Sequence, residues 1–413
     1  MQDSLNPPER AVLIAVDSGG HDYLSSISEL TELARTAGAE VVDTFVQSRP
    51  SPDAATYVGE GKLQEIRMFC EENRIDLLIA DDELTGSQTR NIEEATGVRV
   101  IDRTLLILDI FAQRARSREG RLQVELAQQK YRLPRLTGLG QQLSRLGGGI
   151  GTRGPGETKL ESDRRHIRRR IHALEESLAE LSAQRARTRE RRRKNNAVTV
   201  ALVGYTNVGK STLLNQLTNA DVYAQDQLFA TLDPTARELV LPGGQHVILV
   251  DTVGLIQRLP HQLVEAFHST LETAADADLI LAVCDYTSPE SDRQLEVTRD
   301  LLAELGCGDT PVITVYNKID RAGGMIPASG DRAVFVSALD RESLAPLLRA
   351  IEKALSARVC TLDLLVPYAD GSVLHLLREQ GQILSQEYTE KGIRVKASVN
   401  RQYEKSLREY LCE

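Results

Sequence analysis

The 413-residue chain has the length for about two to four domains, and its five scattered cysteines form neither a disulfide framework nor a C-x-x-C metal site. No run of about eighteen apolar residues is present to span a bilayer. The polar start Met1-Gln-Asp-Ser-Leu-Asn-Pro-Pro8 does not read as a signal peptide, so a reduced, cytoplasmic protein is expected. The net charge of −9 is uneven: residues 112–196 carry 22 Lys/Arg against 9 Asp/Glu, a surplus of 13 that leaves −22 on the remainder. A basic segment on an acidic body turns towards a polyanion, or else is a helical pair kept soluble by its charges.

Residues 1–103 read as an α/β domain. Ala11–Val16, Glu40–Val46, Ile75–Ala80 and Val98–Ile101 are apolar strand-like runs, and 25–37, 61–73 and 86–96 between them have helical periodicity. That alternation predicts a small parallel sheet. Gly59-Glu-Gly-Lys62 lacks the full glycine pattern of a phosphate loop and reads as a helix start or a minor RNA contact. Asp81-Asp82-Glu83 reads as an acidic turn rather than a cation site.

From 104 to 196 the pattern is that of a basic helical hairpin. A first helix is predicted to Leu133, stopped by Pro134. Leu146–Gly156 packs six glycines and a proline into eleven residues, which no regular element tolerates. A second helix follows, with Ile167, Ile171, Leu174, Leu178 and Leu181 at heptad spacing, so antiparallel packing on the first helix is expected. The stripe is core. The charge around it is the functional candidate: Arg164, Arg165, Arg168, Arg169 and Arg170, the run from Arg185 to Lys194, and Arg153 and Lys159 beside the glycines. Few aromatics accompany them, so the expected target is folded RNA, held through its phosphates and shape, rather than stacked single strands.

Residues 197–357 read as a P-loop nucleotide domain. The strand Val198–Val203 runs into Gly204-Tyr205-Thr206-Asn207-Val208-Gly209-Lys210-Ser211, which fits G-x-x-x-x-G-K-[ST] and is followed by a helical pattern. Backbone amides and the helix dipole then converge on phosphates, Lys210 reaches the β- and γ-phosphates, and Ser211 binds Mg²⁺. Phe229-Ala230-Thr231-Leu232-Asp233 lies in a loop-like segment, where Thr231 is expected to complete the Mg²⁺ shell only while the γ-phosphate is present. Asp251-Thr252-Val253-Gly254 follows a strand; Asp251 would hold Mg²⁺ through water and the Gly254 N–H would sense the γ-phosphate. Lys210, Thr231 and Gly254 are therefore the catalytic candidates. Asn317-Lys318-Ile319-Asp320 supplies a carboxylate for guanine N1 and N2, which adenine does not match, and Ser337-Ala338-Leu339 would back the base. Four motifs in this order predict a GTPase. Leu255 stands where many such proteins carry a water-orienting glutamine, so slow intrinsic hydrolysis stimulated by a partner is expected.

Residues 358–413 read as a small α+β unit. Its expected strands are Thr361–Val366 and Ile393–Val399, with helices over 371–380 and 402–412 and no chemistry of its own.

Leu106-Ile-Leu-Asp-Ile-Phe-Ala112, Glu119-Gly-Arg-Leu-Gln-Val-Glu-Leu-Ala127 and Gly148-Gly-Ile-Gly-Thr-Arg-Gly-Pro-Gly-Glu-Thr-Lys159, together with the G-Y-T-N-V-G-K-S loop, are more discriminating than the general motifs. On them the chain resembles, over almost its whole length, the HflX family of ribosome-associated GTPases. The resemblance implies an N-terminal α/β domain with a helical hairpin, GTP/GDP with Mg²⁺, and binding to the large ribosomal subunit and its rRNA near the peptidyl-transferase region. It also implies separation of stalled or idle ribosomes in the GTP form; Leu255 agrees with the family, and a monomer is expected. Two other readings stay open: a GTPase of ribosome assembly or RNA modification, and an RNA-binding scaffold that GTP merely stabilises.

Overall fold

The computed structural model describes residues 7–19, 23–136, 155–194, 198–218, 229, 235–256, 274–308, 310–356, 359–400 and 403–412. The chain forms two compact units, the first mainly from residues up to Glu180 and the second mainly from Leu181 onward.

In the first unit β1 (Glu9–Asp17), β2 (Ala39–Ser48), β3 (Leu77–Ala80) and β4 (Arg99–Asp102) make a sheet of order β2-β1-β3-β4, parallel throughout. Helices α1 (Tyr23–Thr36), α2 (Glu60–Asn73) and α3 (Gly86–Thr96) connect the strands. The central strands are apolar because both of their faces are covered: Ala11 to Ile14 and Leu78 to Ala80 are all fully buried. Thr85 caps α3 in a reciprocal pair with Gln88, a capping box. The Gly59–Lys62 segment is the start of α2, with Lys62 paired to Glu65.

The first predicted helix is two. Helix α4 (Arg103–Arg114) ends at Ala115, and α5 (Arg118–Arg135) restarts where the Ser117 hydroxyl accepts from Gly120 N–H at 2.8 Å. Helix α4 is apolar on nearly every side, and its Leu106, Ile107, Leu108, Ile110 and Phe111 are buried, as in a core helix rather than a hairpin arm. Pro134 sits in the last turn of α5 and does not stop it, since the helix runs one residue further. Helix α6 (Pro155–Lys194) runs in the opposite direction to α5. Glu125 holds Arg170, while Arg132 and Arg135, later in α5, share a cavity with Asp163 and His166, earlier in α6. Of its heptad stripe, Leu174 is fully buried and the other members are half-buried. Residues 146–154 of the glycine-rich loop lie outside the described residues, while Pro155 and Gly156, read as part of that loop, already open α6, since proline is tolerated in a helix's first turn.

In the second unit a six-stranded sheet has the order β10-β9-β8-β5-β7-β6. It is built from β5 (Val198–Gly204), β6 (Thr235–Val240), β7 (His246–Asp251), β8 (Leu279–Asp285), β9 (Val312–Asn317) and β10 (Ala333–Phe335). Only β6 is antiparallel among these pairings. Helices α7 (Lys210–Thr218), α8 (Ser291–Glu304) and α9 (Ala345–Ser356) belong to the same unit. Val200–Val203 and Leu279–Val283 form the centre of the core, each Leu or Val there contributing about 1.5–3 kcal/mol by burial.

A three-stranded antiparallel sheet of order β11-β13-β12 follows, made by β11 (Val359–Val366), β12 (Gly381–Thr389) and β13 (Gly392–Asn400) with α10 (Gly371–Gln380). Strand β12 has no counterpart in the sequence reading. It is an edge strand with a register shift between Ile383 and Ser385, and the shift breaks the alternation that would reveal it. The expected terminal helix is reduced to α11 (Glu404–Leu407) and a single 3₁₀ turn.

Candidate nucleotide site

Gly204–Ser211, Asp251–Gly254, Asn317–Asp320 and Ser337–Leu339 fall at one edge of the six-stranded sheet, where β5, β7, β9 and β10 end. Parallel strands bring their C-terminal ends to the same side, so segments more than a hundred residues apart meet there.

The P-loop turns from β5 into α7. Gly209 has φ +95°, which a residue with a Cβ rarely adopts, and an added Cβ would also strike the Asn317 amide. At Gly204 a Cβ would strike the Val283 carbonyl of the adjacent strand. Asn207 has φ +60°, tolerated by its short polar side chain. Lys210 is 6 % exposed and donates to the carbonyls of Gly204 at 2.9 Å and Tyr205 at 2.7 Å. Burial pulls its ammonium down to about 8, against an upward pull from Asp251.

The Ser211 hydroxyl donates to Asp251 Oδ2 at 2.7 Å, which joins the P-loop to the D-x-x-G segment, and Asp251 is fully buried. A hydroxyl and a buried carboxylate are hard oxygen donors, the set that suits Mg²⁺. Thr252 turns away and donates to the Leu202 carbonyl at 2.7 Å, so its hydroxyl is structural. Val253 is buried. Gly254 lies against Thr206, where any side chain would collide with the P-loop backbone. Leu255 continues the pairing: its N–H donates to Gly204 O at 3.0 Å, and its carbonyl accepts from Thr206 N–H at 2.7 Å. Its side chain is 6 % exposed and belongs to the core of this unit, not to the phosphate side.

At the base end, Asn317 bridges two loops. Its Nδ2 donates to Val208 O at 2.7 Å and its Oδ1 accepts from Ala338 N–H at 2.8 Å. Ser337 Oγ donates to Asp320 Oδ1 at 2.5 Å and accepts from Leu339 N–H. Ile319 opens a single 3₁₀ turn through Arg321, and the Leu339 side chain is exposed. Lys318 is left-handed, with φ +66°, and its Nζ lies 2.8 Å from Asp285. Two residues here carry no motif. Ser343 holds both the N–H and the carbonyl of Ser337. Asp285 ends β8; burial raises its carboxyl, but Lys318 and Thr287 together outweigh that and hold it below the usual range. The apolar run Leu279–Cys284 before it was the signal that could have found it.

Of the Phe229–Asp233 segment only Phe229 is described, and it groups with the first unit. It is 2 % exposed, has φ +55°, and sets its ring edge-on to Phe111 at 4.5 Å. Ala230, Thr231, Leu232 and Asp233 lie outside the described residues, as does Arg153; Lys159 is described as helical backbone alone. On α6, Arg165, Arg168 and Arg169 are exposed and Arg164 is half-buried. Arg170 differs: its guanidinium grips Glu125 of α5 through two bonds of 2.6 and 2.8 Å. Asp81, Asp82 and Glu83 each meet a protein donor, respectively Arg103, Tyr57 and Arg135.

Known proteins match along the whole length. Residues 24–112 match the family described as GTP-binding GTPase N-terminal, 114–192 the GTP-binding GTPase Middle Region, and 199–318 the 50S ribosome-binding GTPase. The GTPase HflX of Caldanaerobacter subterraneus subsp. tengcongensis is 54 % identical over 411 residues, covering 100 % of this chain and 96 % of that protein. The GTPase HflX of Escherichia coli K12 is 40 % identical over 377 residues, covering 90 % and 88 %. Among solved structures, the crystal structure of the SsGBP and GDP complex superposes with a TM-score of 0.50 at 26 % identity, covering 84 % of this chain and 99 % of that one.

Proposed function

This chain belongs to the HflX family of GTPases, and from that membership we propose that it is a slow, partner-triggered timer acting on the large ribosomal subunit. In its GTP form it docks through the exposed arginines of α6 on ribosomal RNA and shifts stalled or idle ribosomes towards separated subunits. Hydrolysis releases it. The family's 50S ribosome-binding description and the exposed charge of Arg165, Arg168 and Arg169 support the docking part.

The observation that carries the reading is Leu255. Its side chain is apolar and lies in the core, and its backbone is tied to the P-loop. No polar group is available at that position to orient an attacking water, so rapid turnover needs a rearrangement or a partner. The chain's own residues do the remainder. The P-loop amides cradle the phosphates, Lys210 balances charge between the β- and γ-groups, and Gly254 N–H reads the γ-phosphate. Asp320 accepts from guanine N1 and N2. Ser211, Thr231 and, through water, Asp251 would hold Mg²⁺, which neutralises phosphate charge when bound. The protein works as a cytoplasmic monomer.

The test is GTP turnover with and without purified large ribosomal subunits, beside an ATP control. Stimulation of at least about tenfold by the subunit is expected. Bound nucleotide with no stimulation would move the assignment to ribosome assembly or to a GTP-stabilised RNA scaffold.

A further inference from the structure

Asp285 belongs to none of the nucleotide motifs, yet it stands where the base-reading loop is built. It ends β8 directly opposite Asn317, which ends β9. Its carboxylate is held on one side by the turn that follows: Oδ1 accepts from Thr287 N–H at 2.9 Å and from the Thr287 hydroxyl at 2.7 Å. That leaves Oδ2 facing Lys318 Nζ at 2.8 Å. The two side chains are 17 % and 19 % exposed, so solvent screens the pair less than it would at the open surface.

Lys318 is the residue of the loop that most needs holding. Its backbone is left-handed, a region an L side chain with a Cβ occupies only when its surroundings impose it. It lies between Asn317, fixed to the P-loop by its amide, and Asp320, fixed to Ser337. Neither of those contacts grips residue 318. Within the loop the Lys318 carbonyl accepts from Arg321 N–H at 3.0 Å, and its side chain is held from outside the loop by the carboxylate of the neighbouring strand.

We propose that Asp285 is a positioning residue for guanine recognition: through its ion pair with Lys318 it keeps the Asn317–Asp320 loop on the path that presents Asp320 to the base. Asp285 is remote in role from the phosphates. It therefore acts equally on GTP and GDP binding and leaves the chemical step alone, the pattern of uniform binding energy.

The test uses the full chain. Asp285→Asn keeps an acceptor for Thr287 and removes the charge, whereas Asp285→Ala removes both. Affinities for fluorescent GDP and for a non-hydrolysable GTP analogue are measured beside ATP competition and kcat for GTP. In Asp285→Ala both guanine affinities are expected to weaken in parallel by about tenfold, and in Asp285→Asn by a few-fold. Preference over ATP narrows while kcat stays within about twofold. The losses from Asp285→Ala and Lys318→Ala are expected not to add, because they remove one interaction. Unchanged affinities, unequal losses for GDP and the GTP analogue, or strictly additive effects would each overturn the assignment. Should Asp285→Ala fail to fold, unchanged affinity in Asp285→Asn alone overturns it.

Discussion

The two α/β sheets of this chain use the C-terminal edges of their parallel strands in opposite ways. In the four-stranded sheet the order reverses between β1 and β3, the kind of place where open α/β sheets take ligands. Here the chain fills it with its own groups. Arg103 donates to Asp81 at 2.7 Å and pairs with Glu29, Ser26 donates to Asp81 at 2.7 Å, and Tyr57 donates to Asp82 at 2.7 Å. At the edge of the six-stranded sheet the turns are made with glycine, and Lys210 bonds to carbonyls of its own loop. A phosphate can replace those carbonyls, whereas nothing small can replace a guanidinium between two carboxylates. Architecture provides an edge; the side chains decide whether it closes as core or opens as a site.

That contrast can be broken from either side. The largest effect is expected on the closed edge. Arg103→Ala leaves Asp81 and Glu29 without their buried cation and should cost about 3–5 kcal/mol of stability, read by urea unfolding of the first unit's transition. A loss under about 1 kcal/mol would mean that the network is ornamental. On the open edge Lys210→Ala should lower GTP turnover about a hundredfold or more, with the fold retained by circular dichroism, since its ammonium donates to backbone carbonyls of the P-loop.

A pH series sharpens the same point. The Lys210 ammonium is depressed to about 8 by burial, and bound phosphates would raise it again. Nucleotide binding then takes up a proton above about pH 8, so affinity is full below that value and falls as the pH climbs towards 10. Lys210→Met should flatten the profile in titrations from pH 7 to 9.5. For the nucleotide-free protein the sign is opposite: a depressed lysine makes folding more favourable as pH rises from about 8 towards its unfolded value.

The smallest effect is expected at the arm. Arg168→Ala with Arg169→Ala should weaken binding to the large ribosomal subunit by several-fold and reduce the salt slope by roughly one to two. Arg170 is a poor choice for that test, because losing it also releases Glu125 from the hairpin. An unchanged slope would remove the arm from the RNA contact.

Residue order alone carried a great deal. The strands of the first unit lie within two residues of where their apolar runs place them, most plainly β1 and β3, because a strand buried on both faces has to be apolar from end to end. The motif loops could be found because glycine, lysine and the paired acidic and amide residues have few substitutes at such turns. What the order of residues left open was whatever depends on a neighbour from elsewhere in the chain. A helix that reads as continuous breaks at Ser117, where a cap competes with propagation. Strand β12 forms on a bulged edge that β13 completes. Phe229 sits beside a motif threonine in sequence but packs on Phe111 in space, and Arg170 lies in a basic run but answers to Glu125. Asp285 becomes visible only when β8 and β9 lie side by side. Local preference writes itself into spacing and composition, whereas a partner drawn in by tertiary packing leaves no periodic trace.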